Sequence, residues 1–132
     1  MPEPFQYRRF DPAHLDGAVS VARALDWPSY AEPEAALAAF TAPGAVTWVA
    51  TDEGNVIGLA HLLTNGVVHS HLSLVGVLPD YRRRGIARRL VAAAFEAGGG
   101  KWLDLCAEAG SEDFYRSFHH QTLQGFRIHP TR

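Results

Sequence analysis

The sequence has a single cysteine, little net charge and no long apolar run. Cys106 has no second cysteine to pair with inside the chain, so we expect a reducing, cytoplasmic location. Lys and Arg number 12 and Asp and Glu 14, and the net charge of −2 gives no broad attraction to nucleic acid or to an anionic membrane. No apolar run reaches the roughly 18 residues that a membrane-spanning helix needs. We therefore expect no nucleic-acid partner and no membrane partner.

The remaining composition is that of an ordinary globular protein. The 132 residues are 47% hydrophobic and 20% charged, and they contain no repeat, low-complexity segment or long linker. A chain of this length can build one hydrophobic core of ordinary size. We predict a single domain over residues 1–132.

Hydrophobic periodicity and turn residues predict an α/β fold with the element order β-α-α-β-β-β-α-β-α-β. The predicted strands cover residues 5–10, 45–51, 56–63, 67–77, 101–106 and about 123–129, and the helices 12–25, 33–42, 84–97 and 112–118. Hairpins at residues 52–55 and at Asn65-Gly66 join three consecutive strands, and Asn65-Gly66 suits a type I′ turn. Hairpin strands followed by a strand-helix-strand crossover predict a mixed sheet flanked by helices.

The most informative segment, residues 75–87, joins an apolar strand to a helix start that contains a glycine. The first amides of a helix have no partner inside the helix, and the helix dipole adds partial positive charge there. A diphosphate at this point accepts several backbone hydrogen bonds at once, and Gly85 leaves room for it because glycine has no Cβ. The segment predicts a phosphate site, with a plain helix start beside a solvated arginine run as the structural alternative.

The order strand, Pro, Arg-x-x-Gly-x-Ala, helix resembles the acetyl-CoA-binding motif of the GNAT superfamily of N-acetyltransferases. The matching residues are Arg82, Gly85 and Ala87 in the motif and Val75, Val77 and Pro79 in the strand before it. The element order is also similar to that of the GNAT fold, and the resemblance spans nearly the whole chain. It implies a single-domain GNAT-like fold and acetyl-CoA as the acyl donor.

The resemblance implies which groups hold the cofactor. The CoA diphosphate is bound by the backbone amides of Arg83, Arg84, Gly85, Ile86 and Ala87 and by the Arg82 side chain, and the edge amides of Val75 and Val77 pair with the pantetheine arm. Gly76 lies inside the same strand, where glycine often marks a bulge or a close backbone approach. A packing accommodation against a helix is the other explanation for Gly76.

Phe114-Tyr115 and Gly125-Phe126 are similar to the Phe-Tyr and Gly-Phe that close the family's fold. In many members that tyrosine protonates the departing thiolate, so the resemblance implies Tyr115 as general acid, with a half-buried packing role as the alternative. A tyrosine hydroxyl with its ordinary pKa of ~10 is protonated at neutral pH. The chain departs from the family because residues 116–124 intervene before Gly125, and because Glu108 stands where many relatives have asparagine.

Two strand histidines are candidates for the general base. His69, His71 and Ser73 alternate on one face of the long strand, and Val75 and Val77 share that face if no bulge intervenes. An amine must lose a proton before it attacks a thioester, and histidine, with an ordinary pKa of about 6.5, can accept it. We favour His71 because it is nearer the cofactor end, while a structural role for either histidine stays open.

We expect no metal and no covalent intermediate. The seven histidines lack the usual spacing of zinc ligands, although His61, His69 and His71 lie on neighbouring strands. Cys106 falls on a predicted strand, where a core role is favoured over a nucleophilic one. Trp27, Tyr30, Glu32 and Glu34 fall in a segment that often borders the acceptor site in GNAT proteins, and aromatics with carboxylates suit a cationic amine.

The sequence therefore predicts an acetyl-CoA-dependent N-acetyltransferase that acts on a small-molecule or peptide amine by direct attack, and a possible homodimer. One alternative is a non-catalytic acyl-CoA-binding regulatory domain, which keeps the phosphate site but makes no product. The other is a nucleic-acid-binding module built on the arginines at 82–84, 88 and 89, which the acidic balance of the chain disfavours.

Overall fold

The computed structural model describes residues 4–131, so the predicted domain limits at residues 1 and 132 lie outside the described part. Five strands form one sheet: β1 (Phe5–Arg9), β2 (Ala45–Asp52), β3 (Asn55–Thr64), β4 (His69–Val77) and β5 (Trp102–Asp104). The α-helices are α1 (Leu15–Ala24), α2 (Pro33–Phe40), α3 (Ile86–Gly98) and α4 (Glu112–Arg116). Short 3₁₀ turns cover Pro12–His14, Pro28–Tyr30 and Pro79–Tyr81. No helix in this range is long and apolar enough to cross a bilayer.

The strands follow one another across the sheet in the order β1-β2-β3-β4-β5. The pairs from β1 to β4 are antiparallel, and β5 pairs parallel with β4 after the α3 crossover. The predicted mixed sheet is therefore confirmed. It has helices on both faces: α3 packs on one apolar cluster, and α1 and α2 pack on another.

The type I′ turn lies in the first hairpin and not, as predicted, in the second. Glu53 and Gly54 both have positive φ, 50° and 85°, as the two central residues of that turn require. In the second hairpin only Gly66 is left-handed, and the Asn65 side chain accepts hydrogen bonds from the amides of residues 67, 68 and 69. The type I′ prediction at Asn65-Gly66 was wrong, because the asparagine side chain organises a longer loop.

The predicted terminal strand over residues 123–129 was also wrong. This segment has no strand or helix, and Phe126 and Ile128 are 80% and 92% exposed. Within the described residues this segment makes no backbone hydrogen bond that would pair it with a strand. β5, with only three residues, also offers a short edge for pairing.

His61 of β3 is buried beneath α2. Its side chain is 3% exposed, its Nδ1 lies 2.8 Å from the Thr47 hydroxyl, and its ring contacts Phe40 and Tyr30 edge-on. Burial disfavours the charged imidazolium and lowers the pKa of His61 from 6.5 to about 4. His61 is therefore a neutral structural residue at neutral pH.

We expect acidification from pH 7 to pH 5 to reduce the free energy of unfolding by about 2 kcal/mol through His61. The unfolded chain binds a proton at this site below pH 6.5, whereas the folded chain stays neutral down to about pH 4. Denaturant unfolding at both pH values measures the effect. His61→Gln should lose most of this pH dependence, and an unchanged dependence in that variant would contradict the assignment.

Candidate active site

The loop between β4 and α3 forms a concave backbone surface at the N-terminus of the 13-residue helix α3. Arg83 and Gly85 are both left-handed, with φ of 65° and 77°. Such residues in a turn direct neighbouring amides toward a shared concavity, which suits an anion. Within residues 4–131, the backbone amides from Arg83 to Arg88 find no acceptor. A Cβ on Gly85 would meet no atom within 4 Å, so the space in front of the amides is open.

The arginines around this loop are held in different ways. Arg82 Nε donates to the Val77 carbonyl at 3.1 Å, and its terminal nitrogens have no partner in the described range. Three others lie over aromatic rings: Arg84 over Tyr81 and Phe5, Arg88 over Phe118, and Arg89 over Tyr7. Stacking holds these guanidinium groups near the loop while their charge stays exposed.

One edge of β4 is open beside this loop. β5 pairs only with residues 69–71 of β4, so the remainder of the strand, to Val77, is uncovered on that side. The Leu78 amide donates to the Ile57 carbonyl at 2.8 Å and so points toward β3. Because successive amides alternate in direction along a strand, those of Val75 and Val77 point to the open edge. The cofactor residues predicted from the sequence therefore lie along one continuous backbone surface.

A bulge at Ser73 divides the two faces of β4. His61 pairs with Leu74 and Leu62 pairs with Leu72, which leaves Ser73 without a partner on β3. The bulge turns Val75 and Val77 toward α3, whereas His71 faces the α1 and α2 side. His71 and these valines therefore do not share a face, as they would in a regular strand.

The need for glycine at position 76 comes from side-chain packing and not from the bulge. A Cβ at this position would lie 2.6 Å from the Trp27 ring and 2.6 Å from Leu25 Cδ1. Gly76 pairs regularly with Leu59, three residues beyond the bulge. The glycine lets the Trp27 ring rest on the strand, which corresponds to the packing alternative.

Tyr115 lies on α4, half-buried in the cluster that also contains Val75 and Ala87. Its hydroxyl makes no hydrogen bond to any described residue, so it is available to a ligand. Burial, with a smaller effect of the Glu108 carboxylate, raises the pKa of Tyr115. The hydroxyl therefore keeps its proton at neutral pH and can donate it.

A cavity of about 430 Å³ opens on the opposite face of the sheet, beside β4. Its lining residues are Asp26, Trp27, Pro28, Ser29, Tyr30, His71, Ser73, Leu74, Glu108 and Arg127. Glu108 lines this cavity, and its carboxylate also contributes to the raised pKa of Tyr115.

Residues 43–121 match the family profile described as acetyltransferase (GNAT) domain. The chain belongs to the GNAT acetyltransferase family. Acetyl-CoA is the acyl donor of such a domain, and the unpaired amides and open space at Gly85 fit its diphosphate. A comparison with curated proteins finds no match.

Solved structures similar to this GNAT acetyltransferase support the same fold. The aminoglycoside acetyltransferase AAC(6')-Iy, in complex with a bisubstrate analogue of CoA, is 20% identical with TM-score 0.79, and the match covers 97% of this chain and 98% of that one. A ribosomal-protein-alanine N-acetyltransferase from Brucella melitensis biovar Abortus 2308 is 16% identical with TM-score 0.79, covering 98% and 100%. An aminoglycoside acetyltransferase from an uncultured soil metagenomic sample, in complex with sisomicin, is 16% identical with TM-score 0.78, covering 98% and 97%.

Only part of the segment predicted to border the acceptor site lies at the cavity. Trp27 and Tyr30 line the cavity of this acetyltransferase, but Glu32 and Glu34 do not. The acidic side chains in the cavity are instead Asp26 and Glu108, and Arg127 adds a positive charge. Sequence reasoning missed these three in this role, since no spacing connects segments so far apart in the chain.

Cys106, His69 and His71 lie in three different surroundings. Cys106 lies beyond the end of β5 and is exposed, so its predicted core position was wrong. His69 pairs with Asp104, Nε2 to Oδ2 at 2.8 Å, whereas His71 lines the cavity. Among residues 4–131 no three His, Cys, Asp or Glu side chains converge as metal ligands.

Proposed function

We propose that this GNAT acetyltransferase is an N-acetyltransferase that moves an acetyl group from acetyl-CoA to a primary amine by direct attack. One observation carries the proposal: the unpaired amides at the start of α3 continue into the unpaired edge of β4, and the cavity lies beside the same strand at His71, Ser73 and Leu74. We further propose that the whole chain acts as one domain in the cytoplasm, where the exposed Cys106 thiol stays reduced.

On the cofactor side, the amides of Arg83, Arg84, Gly85, Ile86 and Ala87 bind the diphosphate together with the free nitrogens of Arg82. The outward amides of Val75 and Val77 bind the pantetheine arm along the open edge of β4. The amide near Val75 also polarises the thioester carbonyl, because a fixed N–H dipole stabilises the charge that develops on that oxygen. Acetyl-CoA supplies an acetyl thioester that is activated toward attack by an amine.

On the acceptor side, the amine binds in the cavity, and His71 takes its proton directly or through water. Tyr115 donates its hydroxyl proton to the departing sulfur. The raised pKa of Tyr115 supports this role, since the hydroxyl is protonated before the reaction. No side chain forms a covalent bond, so both substrates are bound together when the acetyl group moves.

A screen of amines with acetyl-CoA, monitored by the release of free thiol, tests the proposal. We expect acetyl-CoA turnover that depends on an amine, with an acetylated amine as product by mass spectrometry. Binding of CoA without turnover on any amine would favour a regulatory acyl-CoA-binding domain. Retention on nucleic acid that falls steeply with salt, without CoA binding, would favour the arginine-mediated alternative.

We expect His71→Gln to lower kcat/KM for the amine by about 10²-fold near neutral pH, as is typical when a general base is lost. His69→Gln is the matched control, because this neighbouring histidine is already engaged with Asp104. Steady-state kinetics over a range of pH measure both variants. If the two substitutions have equal effects, or if the activity of His71→Gln keeps the wild-type pH profile, His71 is not the base.

We also propose that the protein forms a homodimer. The outer edge of β5 is unpaired in the described chain, and residues 123–129 carry exposed apolar side chains without backbone partners. An open strand edge and an unpaired segment of a second copy complement each other. Light scattering at high micromolar concentration should give the dimer mass, and a monomer mass there would contradict this prediction.

A further inference from the structure

The cavity beside β4 is lined by charges of both signs. Asp26 and Glu108 contribute carboxylates, and Arg127 contributes a guanidinium. No ion pair or side-chain hydrogen bond engages any of the three with another residue between 4 and 131. They are therefore available to a ligand that brings the opposite charges.

The three charges come from separate segments of the chain. Asp26 follows α1 and has a left-handed backbone conformation, with φ of 60°. The next residue, Trp27, donates its amide to the Ala22 carbonyl at 2.8 Å at the end of the helix. The Glu108 carbonyl accepts from the amide and the hydroxyl of Ser111. Gly125 lies against Cys106 Sγ, so the segment that carries Arg127 runs beside the loop that carries Glu108.

The size and charge of this cavity select among amines. A volume of about 430 Å³ suits a small molecule. The carboxylates attract an ammonium group, and a guanidinium binds a carboxylate through paired, charge-assisted hydrogen bonds. A polycation of similar size would bring one of its charges near Arg127, where like charges repel.

We propose that the acceptor is a small amine that also carries a carboxylate, that is, an amino-acid-like zwitterion. Asp26 and Glu108 hold its ammonium group near His71, and Arg127 holds its carboxylate. This inference rests on the proposed N-acetyltransferase function and adds the class of acceptor to it.

The reaction on such an acceptor balances without a further reactant. The amine nitrogen forms a bond to the acetyl carbon as the carbon–sulfur bond breaks, and the sulfur keeps the electron pair. The ammonium group loses two protons as it becomes an amide nitrogen. His71 or water receives the first, Tyr115 protonates the sulfur, and the second amine proton, transferred through water, restores the Tyr115 hydroxyl. The product keeps its carboxylate but has lost the positive charge, so its attraction to Asp26 and Glu108 is lost and its release is favoured.

Matched acceptor pairs test the inference. Each L-amino acid is assayed beside its carboxamide, with spermidine and an aminoglycoside as polycations, by free-thiol release and product mass. We expect at least one amino acid to be acetylated about 10- to 100-fold more efficiently than its amide, the range expected for a charge-assisted hydrogen bond. Arg127→Gln should raise KM for the acid by a similar factor and leave the amide unchanged, whereas Arg8→Gln, on β1 away from the cavity, should change neither.

The outcomes separate this inference from the proposed function. Three results would overturn the proposal of a zwitterionic acceptor and leave the N-acetyltransferase proposal intact. They are equal turnover of amino acids and their amides, a preference for the polycations, and an unchanged KM in Arg127→Gln. Failure of every amine in the presence of bound CoA would overturn both.

Discussion

Gly85→Val should abolish CoA binding and leave the protein folded. The left-handed φ of 77° disfavours a β-branched side chain, and the added methyl groups would fill the open space in front of the unpaired amides. A diphosphate could then no longer reach those amides. Isothermal titration with CoA should show at least about a 10²-fold loss of affinity, or roughly 3 kcal/mol, from several lost charge-assisted hydrogen bonds.

Gly66→Val is the matched control for this prediction. Gly66 has nearly the same backbone conformation, with φ of 78°, and a Cβ there also meets no atom within 4 Å. It lies in the loop between β3 and β4, away from the start of α3. Both variants should lose similar stability, about 1–2 kcal/mol from the backbone strain alone, but only Gly85→Val should lose CoA. Wild-type affinity in a folded Gly85→Val protein would move the cofactor site elsewhere.

Tyr115→Phe should lower kcat by about 10²- to 10⁴-fold, the usual contribution of a general acid. The substitution removes one hydroxyl and keeps the ring in the apolar cluster, so packing is preserved. If the hydroxyl acts only as the sulfur departs, its loss raises the barrier without weakening the ground-state complex. The effect should therefore appear in kcat and kcat/KM together, with CoA affinity unchanged.

Tyr7→Phe controls for the loss of a hydroxyl from the same cluster. Tyr7 packs against that cluster from β1, on the far side of the sheet order from β5. Steady-state kinetics at saturating substrates, with chemistry shown to limit the rate, compare the two variants. If Tyr115→Phe turns over at the Tyr7→Phe rate, Tyr115 has no part in proton transfer.

The loop at the start of α3 could be predicted from sequence because its determinants are local. A glycine at the start of an amphipathic helix, after an apolar strand and a proline, specifies the loop whose amides are unpaired in the structure. The loop depends on residues within about ten positions of one another, where spacing carries the information. The family resemblance, and not spacing, implied the edge amides of Val75 and Val77, and their outward direction depends on the pairing of β4 with β3.

The features that sequence reasoning missed depend on distant contacts. The bulge at Ser73 depends on how β4 pairs with β3, and no residue type in the sequence indicates it. The left-handed pair that forms the first hairpin turn includes Glu53, which is an unusual residue for that conformation. The charged cavity joins residues 26, 108 and 127, which only the tertiary fold brings together.

The proposed reaction requires acetyl-CoA to bind at the start of α3, and thermal melts with and without CoA test this binding directly. A ligand that binds only the folded state at a hundredfold excess over its dissociation constant adds about 2.7 kcal/mol of stability. For a chain of this size that corresponds to a rise in Tm on the order of 10 °C. We expect such a rise for the wild-type protein at saturating CoA, and an unchanged Tm would contradict acetyl-CoA binding.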